Sequence, residues 1–440
     1  MKSSRCRAVI IGSGLSGLLV SRALSRAKVH HLLLGGPPDS SPRLGESLSL
    51  EASVFVFDFL TEFLPYFLSK KLVVGFFGEH VFSCDLEIDK ARWPFRLLGY
   101  RSPTALFHVD RIGLDAALYR SVVASPYCDQ ADVRVEDLRY DSGSDTFSEI
   151  HLADGTRLRP AYLFDATNHV RLAARAAGVP CHLLSGLQRV VYTHYRSPHS
   201  EAPAEREAWQ LSTSIVRFYE DLDGLEAIAW CIPLGLYVSI GASMELSANG
   251  LTDEEVLQRV EEGFRRRGLV YRELHPRETE IRSLRHCYFV HDRGHGTNWL
   301  LVGPSYGQIW WMSGTGVASA LAAARIAVQA MRFPEKAGRL YETYMKDLLA
   351  SHAVLDWFAS IERPRVTRQL VSEQSDRLIR ANARRLARLT LLGRNPLCCG
   401  LARILHRLSA TPSFLRGYCR VSTIPLAEQS RSAFAQAALP

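Results

Sequence analysis

The first residues whose spacing could do chemistry are three glycines near the start of the chain. The run CRAVIIGSGLSGLLVSRAL places Gly12, Gly14 and Gly17 between a short apolar segment and a segment with helical spacing of apolar residues. This order predicts a strand, a tight turn and a helix, with the turn open to a pyrophosphate and the helix N-terminus facing it. The segment therefore predicts a dinucleotide site. A glycine turn in some other strand–helix unit is the alternative.

The next apolar run lacks the carboxylate that such a site commonly uses. HHLLLGG ends at Gly35, where an acidic residue would bind the adenosine ribose. Asp39 follows after a short loop, away from the usual position. We therefore expect the adenosine end of the site to lack one acceptor unless Asp39 supplies it.

Four further segments follow in an order that is typical of a flavoprotein. They are RLGESL at 43–48, FHVDRIGLDAALYRS at 107–121, LFDATNHVRLAARAAG at 163–178 and GPSYGQIWWMSGTGV at 303–317. Together with the glycine turn, they resemble FAD-dependent monooxygenases of the aromatic-hydroxylase fold. The triplet Gly45-Glu46-Ser47 and the run AIAWCIPLG at 227–235 are most similar to the flavin-dependent halogenase branch, whose WxWxIP signature here has Ile228 at the first Trp position.

The resemblance implies an α/β fold with three parts. A Rossmann-like FAD-binding domain would comprise residues 1–60, 105–180 and 295–330. An inserted substrate domain built on an antiparallel sheet would comprise 61–104 and 181–294, and a basic helical region would comprise 331–440. The alternating runs between 187 and 245 favour the antiparallel sheet independently.

The resemblance also implies which residues contact FAD. A guanidinium at Arg111 suits phosphate or ribityl oxygens, and its pairing with Asp110 or Asp115 is the alternative. In SGTGV, the amide groups at the start of a helix would point at the flavin and favour the negative charge of its reduced form. Besides the three glycines of the turn, the implied FAD contacts are Ser47, Arg111, Asp165, Gly303, Gly314, Thr315 and Gly316.

One position of the last flavin segment departs from the family pattern. Pro304 stands where an aspartate would bind the ribityl chain, and proline offers neither a carboxylate nor an N–H. A hydrogen bond to a charged group contributes about 1.5–3 kcal/mol. With Gly35 and Pro304 both lacking the acceptor, we expect FAD to be held weakly.

The chemistry is open between hydroxylation and halogenation. Halogenases of this kind use a lysine after the GES triplet, and FLSKKLVVGFFGEHVF at 67–82 offers Lys70 and Lys71 two residues out of register. Glu46 and Lys71 are therefore the candidate catalytic residues, while a solvated lysine pair is the alternative. Without a halogenating lysine, the resemblance implies hydroxylation through a flavin C4a-hydroperoxide, formed from dioxygen after reduction by NAD(P)H or a separate flavin reductase.

Three tryptophans are candidates for an aromatic substrate pocket. Trp230 lies in a predicted strand of the antiparallel sheet, and Trp310 and Trp311 stand beside the flavin segment. Packing in a core is the alternative for Trp230. Adjacent residues of a strand point to opposite faces, so Trp310 and Trp311 cannot both face one core.

The positive charge of the chain is local. Residues 363–420 contain 13 arginines, no lysine and two acids, a net charge of +11, whereas the whole chain carries +8. Arg377, Arg380, Arg384 and Arg388 are spaced to share one helix face. We expect this face to dock an acidic peptide or carrier protein, and a solvated basic helix is the alternative. No nucleic-acid-binding module is present in the sequence.

Composition places the protein in a reducing compartment. Nine cysteines, an odd number, are scattered without a CxxC pair, which favours free thiols, no metal site and a cytoplasmic location. No apolar run is long enough for a membrane span, and glycines interrupt the N-terminal run that imitates a signal peptide.

These observations predict an FAD-dependent monooxygenase that hydroxylates an electron-rich aromatic ring. The chain also resembles the flavoproteins that hydroxylate a peptidyl tryptophan during maturation of tryptophylquinone cofactors, as in quinohemoprotein amine dehydrogenase. A flavin-dependent halogenase of a natural-product pathway is one alternative. A non-redox scaffold that retains the flavoprotein fold is the other.

Overall fold

The structure of the chain is a computed structural model. It describes residues 4–6, 8–48, 50–70, 72–77, 80–85, 106–196, 212–218, 227–234, 237–246, 250–266, 279–308, 315–360 and 420–423. Two principal sheets, one parallel and one largely antiparallel, organise this part of the chain.

The parallel sheet carries the predicted dinucleotide turn. Its strands, in spatial order, are β20 (Trp299–Leu301), β12 (Leu163–Asp165), β2 (Val9–Ile11), β3 (His31–Leu34) and β8 (Cys128–Ala131). Every residue of β2, β12 and β20 is buried, as expected for a parallel sheet that is covered on both faces. Because all five strands run the same way, their carboxyl ends meet at one edge, where ligands bind in folds of this type.

Helices pack against this sheet and connect it to the rest of the chain. The α-helices are α1 (Leu15–Arg26), α2 (Leu50–Phe59), α3 (Arg111–Val123), α4 (Leu172–Ala176), α5 (Asp253–Arg266), α6 (Thr315–Arg332) and α7 (Pro334–Ser360). Helix α6 is rich in buried alanines, whose small side chains let it pack against α1. The first half of α7 packs into the same core through residues such as Tyr341 and Leu348.

The second principal sheet has eight strands and lies next to the dinucleotide edge. In spatial order they are β18 (Arg282–His286), β14 (Gln188–Arg196), β17 (Tyr237–Glu245), β16 (Ala227–Pro233), β15 (Ser212–Phe218), β5 (Leu72–Phe77), β6 (His80–Asp85) and β22 (Arg420–Thr423). Alternate residues of β14 face opposite sides. Val191 and Tyr195 share a core with α5, whereas Val190 and Tyr192 cluster with Trp230 on the other face.

Smaller sheets and 3-10 turns complete the described part. One sheet joins β1 (Ser4–Cys6), β11 (Arg157–Pro160), β10 (Thr146–Leu152) and β9 (Val135–Asp141), and another joins β13 (Cys181–Leu183), β19 (Phe289–His291) and β21 (Gly307–Gln308). Strand β4 (Phe67–Lys70) pairs with β7 (Leu106–Val109). The 3-10 turns are Thr61–Tyr66, Asn168–Val170 and Gly303–Ser305.

The α/β class predicted from the sequence is confirmed by this architecture. The strands predicted between 187 and 245 are β14 to β17 of the antiparallel sheet. The helices predicted after residue 360 lie outside the described residues. None of the helices that the structure describes is long and apolar enough to cross a membrane.

Candidate cofactor site

The predicted glycine turn lies at the carboxyl edge of the parallel sheet. Gly12 has a φ of +106°, and a Cβ there would lie 2.7 Å from the carbonyl oxygen of Ala166. Gly17 packs the start of α1 directly onto the backbone of Gly12. Gly14 is the N-cap of α1, and a Cβ there would meet no atom within 4 Å. The first turn of α1 therefore presents its amide groups to open space, as a phosphate site requires.

A cavity of about 320 Å³ opens in front of this turn. It lies between the glycine turn, the N-terminus of α6 and the eight-stranded sheet. Its described lining includes two arginines and no carboxylate, but both arginines pair with Asp115, and Arg43 also pairs with Asp39. The helix N-termini at the cavity are therefore the feature that favours an anion. The lining residues are Gly14, Leu15, Ser16, Arg43, Leu44, Gly45, Arg111, Asn168, His169, Tyr192, Leu284, Pro304, Gly307, Gln308, Gly316, Val317 and Ala320.

Arg111 borders the cavity while its guanidinium is held by the protein. Its Nε and Nη2 donate to the Asp115 carboxylate at 3.1 and 2.9 Å, and its Nη1 donates to the Leu44 carbonyl at 2.6 Å. Burial would lower the pKa of Arg111, but the charge and hydrogen bonds of Asp115 raise it. The pairing with Asp115 is thus present, and it is buried. Arg111 fixes Leu44 at the cavity wall, and its contact with FAD stays a prediction.

Glu46 of the GES triplet forms a buried pair with a histidine of the eight-stranded sheet. Oε1 of Glu46 lies 2.5 Å from Nε2 of His194, and the two residues are 2% and 3% exposed. The Glu46 carbonyl accepts from the Val109 amide at 2.8 Å. Glu46 therefore ties the loop that carries Gly45 to both β7 and β14, one residue behind the cavity wall.

Ser47 lies beside β7 rather than at the cavity. It forms an isolated antiparallel bridge with His108. Nδ1 of His108 donates to the Pro233 carbonyl at 2.6 Å. The buried imidazole of His108 therefore connects the GES triplet to the Ile-Pro end of the AIAWCIP run. These are the two segments that resemble the halogenase branch in sequence.

Asp165 uses its carboxylate to build the turn beyond β12. Its oxygens accept from the amide and hydroxyl of Thr167 at 2.9 and 2.6 Å, and from the Ala173 amide at 2.7 Å. Burial raises its pKa, against the lowering effect of these bonds. This turn carries Asn168 and His169 to the cavity. A direct contact of Asp165 with FAD stays a prediction.

Pro304 lies in the 3-10 turn Gly303–Ser305 and lines the cavity. The amide of Gly303 donates to the Tyr341 hydroxyl of α7 at 2.8 Å. A Cβ on Gly316 would lie 3.6 Å from Cγ of Pro304. The proline ring therefore lies at the N-terminus of α6, at the position where the resemblance described above implies an aspartate.

Trp230 lies behind the cavity wall. It is 1% exposed, its Nε1 donates to the Ser239 hydroxyl at 3.2 Å, and its ring packs against Tyr192. Tyr192 lines the cavity and donates its hydroxyl to the Pro42 carbonyl at 3.1 Å. Trp230 is therefore a core residue, the alternative considered from the sequence, and it packs behind Tyr192.

Several predicted residues lie outside the described part of the chain. They are Lys71, Trp310, Trp311, Gly314, Arg377, Arg380, Arg384 and Arg388. Thr315 and Gly316 open α6, as the SGTGV pattern predicted. Of the predicted FAD contacts, Gly14, Arg111 and Gly316 line one cavity.

The sequence reasoning missed other residues of the site. Arg43, Asn168, His169, Tyr192, His194, Leu284 and Gln308 line the cavity or support it. Tyr192 and His194 could have been predicted to lie on the same face of the sheet, since residues two apart on a strand share a face. Asn168 and His169 reach the cavity through a turn in which Asn168 has a φ of +53°. The periodicity of apolar residues does not predict such a turn.

Comparison with solved structures finds the same fold in several enzymes. No protein-family model matches the sequence, and no curated protein matches it. Among solved structures, the fold is similar to the halogenase PltM (TM-score 0.66, 14% identity, 98% of this chain and 90% of that one). It is also similar to the flavin-dependent brominase Bmp2 (0.61, 16%, 98% and 99%) and to PqsL of Pseudomonas aeruginosa, a probable FAD-dependent monooxygenase (0.61, 14%, 85% and 100%). At such identities the likeness shows the fold, and the predicted fold is confirmed.

Proposed function

We propose that the protein is an FAD-dependent monooxygenase that hydroxylates an electron-rich aromatic ring. The observation that carries the proposal is the cavity at the dinucleotide edge, where the N-termini of α1 and α6 meet two arginines and no described carboxylate. The fold shared with flavin-dependent halogenases and a probable FAD-dependent monooxygenase supports it.

The residues at this cavity fit FAD. The open space at Gly14 suits the pyrophosphate, because the first turn of α1 offers amide groups there. The N-terminus of α6 suits the electron-rich ring of the reduced flavin. Asn168 contributes an Oδ1 that is buried and has no hydrogen-bond partner within the described residues, as expected of a group that awaits a ligand.

When bound, reduced flavin would activate dioxygen and supply an electrophilic oxygen. The chain's own residues would orient the ring that receives it. Tyr192 and Leu284 extend from the eight-stranded sheet to the cavity, and Val317 and Ala320 line it from α6. These side chains offer a largely apolar surface that holds an aromatic ring and excludes water.

Two buried contacts would keep this surface in place. Burial raises the pKa of Tyr192 to about 12, so its hydroxyl retains the proton that it donates to Pro42. The Glu46–His194 pair holds the Gly45 loop against the same sheet. Glu46 is therefore proposed as a positioning residue, while Lys71 remains a candidate for contact with the reacting atoms.

A tryptophan within an acidic peptide or carrier protein is the proposed form of the substrate. The arginines at helical spacing from Arg377 to Arg388 support a polypeptide partner, since such charges steer acidic ligands. Electrons would come from NAD(P)H directly or through a flavin reductase.

The test is turnover of reduced FAD with dioxygen and tryptophan-containing peptides, with and without chloride or bromide. We expect a product heavier by one oxygen atom, formed at the same rate with and without halide. A halogenated product would favour the halogenase, in which case Lys71→Ala should abolish turnover. FAD binding with neither oxygenation nor halogenation would favour the scaffold.

A further inference from the structure

Gly35 and Gly36 directly follow β3, and side chains of other residues occupy the space next to their Cα atoms. Gly35 has a φ of +142°, and a Cβ there would lie 2.6 Å from Oγ of Ser13. Ser13 belongs to the dinucleotide turn and donates to the Gly36 carbonyl at 2.6 Å. An acidic side chain at Gly35, the position expected from sequence, would therefore be strained and would collide with the turn.

A carboxylate reaches the same place from the neighbouring strand. Strands β3 and β8 are parallel, with Leu34 opposite Ala131, and the Gly35 amide donates to the Ala131 carbonyl at 2.9 Å. Asp132 follows directly. A Cβ on Gly36 would lie 2.5 Å from Oδ2 and 2.8 Å from Oδ1 of Asp132, so the carboxylate occupies the space that a side chain of Gly36 would fill.

The Asp132 carboxylate is available to a ligand. Asp132 is exposed, and its oxygens form no hydrogen bond or ion pair with the described residues. Asp39, the candidate considered from sequence, is instead held by the Ser41 amide and by Arg43, and these bonds lower its pKa. Asp39 uses Oδ1 for both contacts and is held in an ion pair with Arg43, whereas neither oxygen of Asp132 is engaged by the described residues.

We propose that Asp132 is the residue that accepts hydrogen bonds from the adenosine ribose of FAD, in place of an acid at the end of β3. The proposal rests on the proposed function, because it assumes that FAD lies along the glycine turn. It is supported by the chain of contacts from Ser13 to Gly36 to Asp132. It also implies that Gly35 does not remove the ribose acceptor, so FAD is held more firmly than the sequence suggested.

The test compares FAD with FMN, which lacks the adenosine. Binding is measured by titration of the wild type, Asp132→Ala and the matched variant Asp129→Ala, which removes an exposed carboxylate from β8 itself. Loss of hydrogen bonds to a charged group, about 1.5–3 kcal/mol, predicts a Kd for FAD roughly 10- to 100-fold higher in Asp132→Ala. The Kd for FMN should stay unchanged, and Asp129→Ala should affect neither.

Gly36→Ala provides a second arm, because its new Cβ would displace the Asp132 carboxylate, a movable group, with no demand on backbone conformation. It should weaken FAD in the wild-type background and have no further effect in Asp132→Ala. An unchanged Kd for FAD in Asp132→Ala, or equal weakening of FAD and FMN, would overturn the proposal. A wild type that binds neither flavin would overturn the proposed function and this inference with it.

Discussion

At the scale of single residues, Glu46 was predicted from the sequence as a catalytic residue, and the structure shows that it also forms a buried pair with His194. Both side chains are almost fully buried, and they join the loop at the cavity to the eight-stranded sheet. A buried polar group is costly without its partner, because it has lost its hydrogen bonds to water. The pair therefore governs stability as well as the shape of the cavity wall.

Glu46→Ala should lower the free energy of unfolding by about 1–3 kcal/mol, the usual cost of leaving a buried polar partner without its hydrogen bond. His194→Ala should have a similar effect, and the double variant should cost less than the sum of the two. Urea unfolding measures all three. As a control, Glu136→Ala removes an exposed carboxylate and should change stability by less than about 1 kcal/mol. Additive effects of Glu46→Ala and His194→Ala would show that the two side chains do not interact.

At the scale of elements, α7 is attached to the parallel sheet through a histidine. Nδ1 of His295 lies 2.7 Å from Oε1 of Glu342, and Nε2 lies 3.3 Å from Oε2 of Glu335, which also pairs with Arg339. Tyr341, the residue before Glu342, accepts from the Gly303 amide, next to the cavity residue Pro304. The contacts of α7 thus link this histidine to the turn that carries Pro304.

The stability that this histidine contributes should depend on pH. Burial would lower the pKa of His295, but the hydrogen bonds and charges of Glu342 and Glu335 raise it above 6.5. The pKa of Glu342 is lowered below 4.5 by His295, against the effect of burial. A raised histidine pKa stabilises at low pH and a lowered carboxyl pKa at high pH, so the pair should be strongest between about 4.5 and 6.5.

Thermal unfolding across pH 5–9 tests this dependence. Glu342→Gln should lower the melting temperature most near pH 5.5 and progressively less as the pH rises through the raised pKa of His295. An equal loss at every pH would show that His295 is not charged in the folded protein.

The sequence predicted some of these elements for clear physical reasons and could not predict others. The turn around Gly14 and the strands between 187 and 245 follow local patterns, because apolar periodicity and glycine spacing act over a few residues. The role of Asp132 depends on the pairing of β8 with β3, nearly 100 residues apart in sequence. The His295–Glu342 contact likewise depends on how a helix packs, which no local pattern encodes.

At the scale of the whole molecule, charge is distributed unevenly. The cavity at the edge of the parallel sheet has two arginines that are paired with aspartates, whereas the arginine-rich residues 363–420, which follow the described helix α7 in the chain, have few acids. Four arginines at helical spacing, with few acids nearby in sequence, favour docking of an acidic partner.

Replacing Arg380, Arg384 and Arg388 with Ala should therefore weaken capture of an acidic peptide substrate roughly tenfold at low salt and flatten its salt dependence, because exposed charges are screened beyond ~8–10 Å at physiological ionic strength. FAD binding should not change. Steady-state kinetics at two ionic strengths measures the effect, and wild-type behaviour at both would exclude the docking role.

Substitution of Gly14 tests whether FAD binds with its pyrophosphate at the N-terminus of α1. Asp and Asn are both good N-caps, and the position has an extended backbone and open space, so Gly14→Asp and Gly14→Asn should fold at least as stably as the wild type. FAD titration of the three proteins should show Gly14→Asp binding roughly a hundredfold or more weakly, because its carboxylate repels the phosphates, with Gly14→Asn less affected. A Gly14→Asp protein that binds FAD as tightly as the wild type would contradict the account.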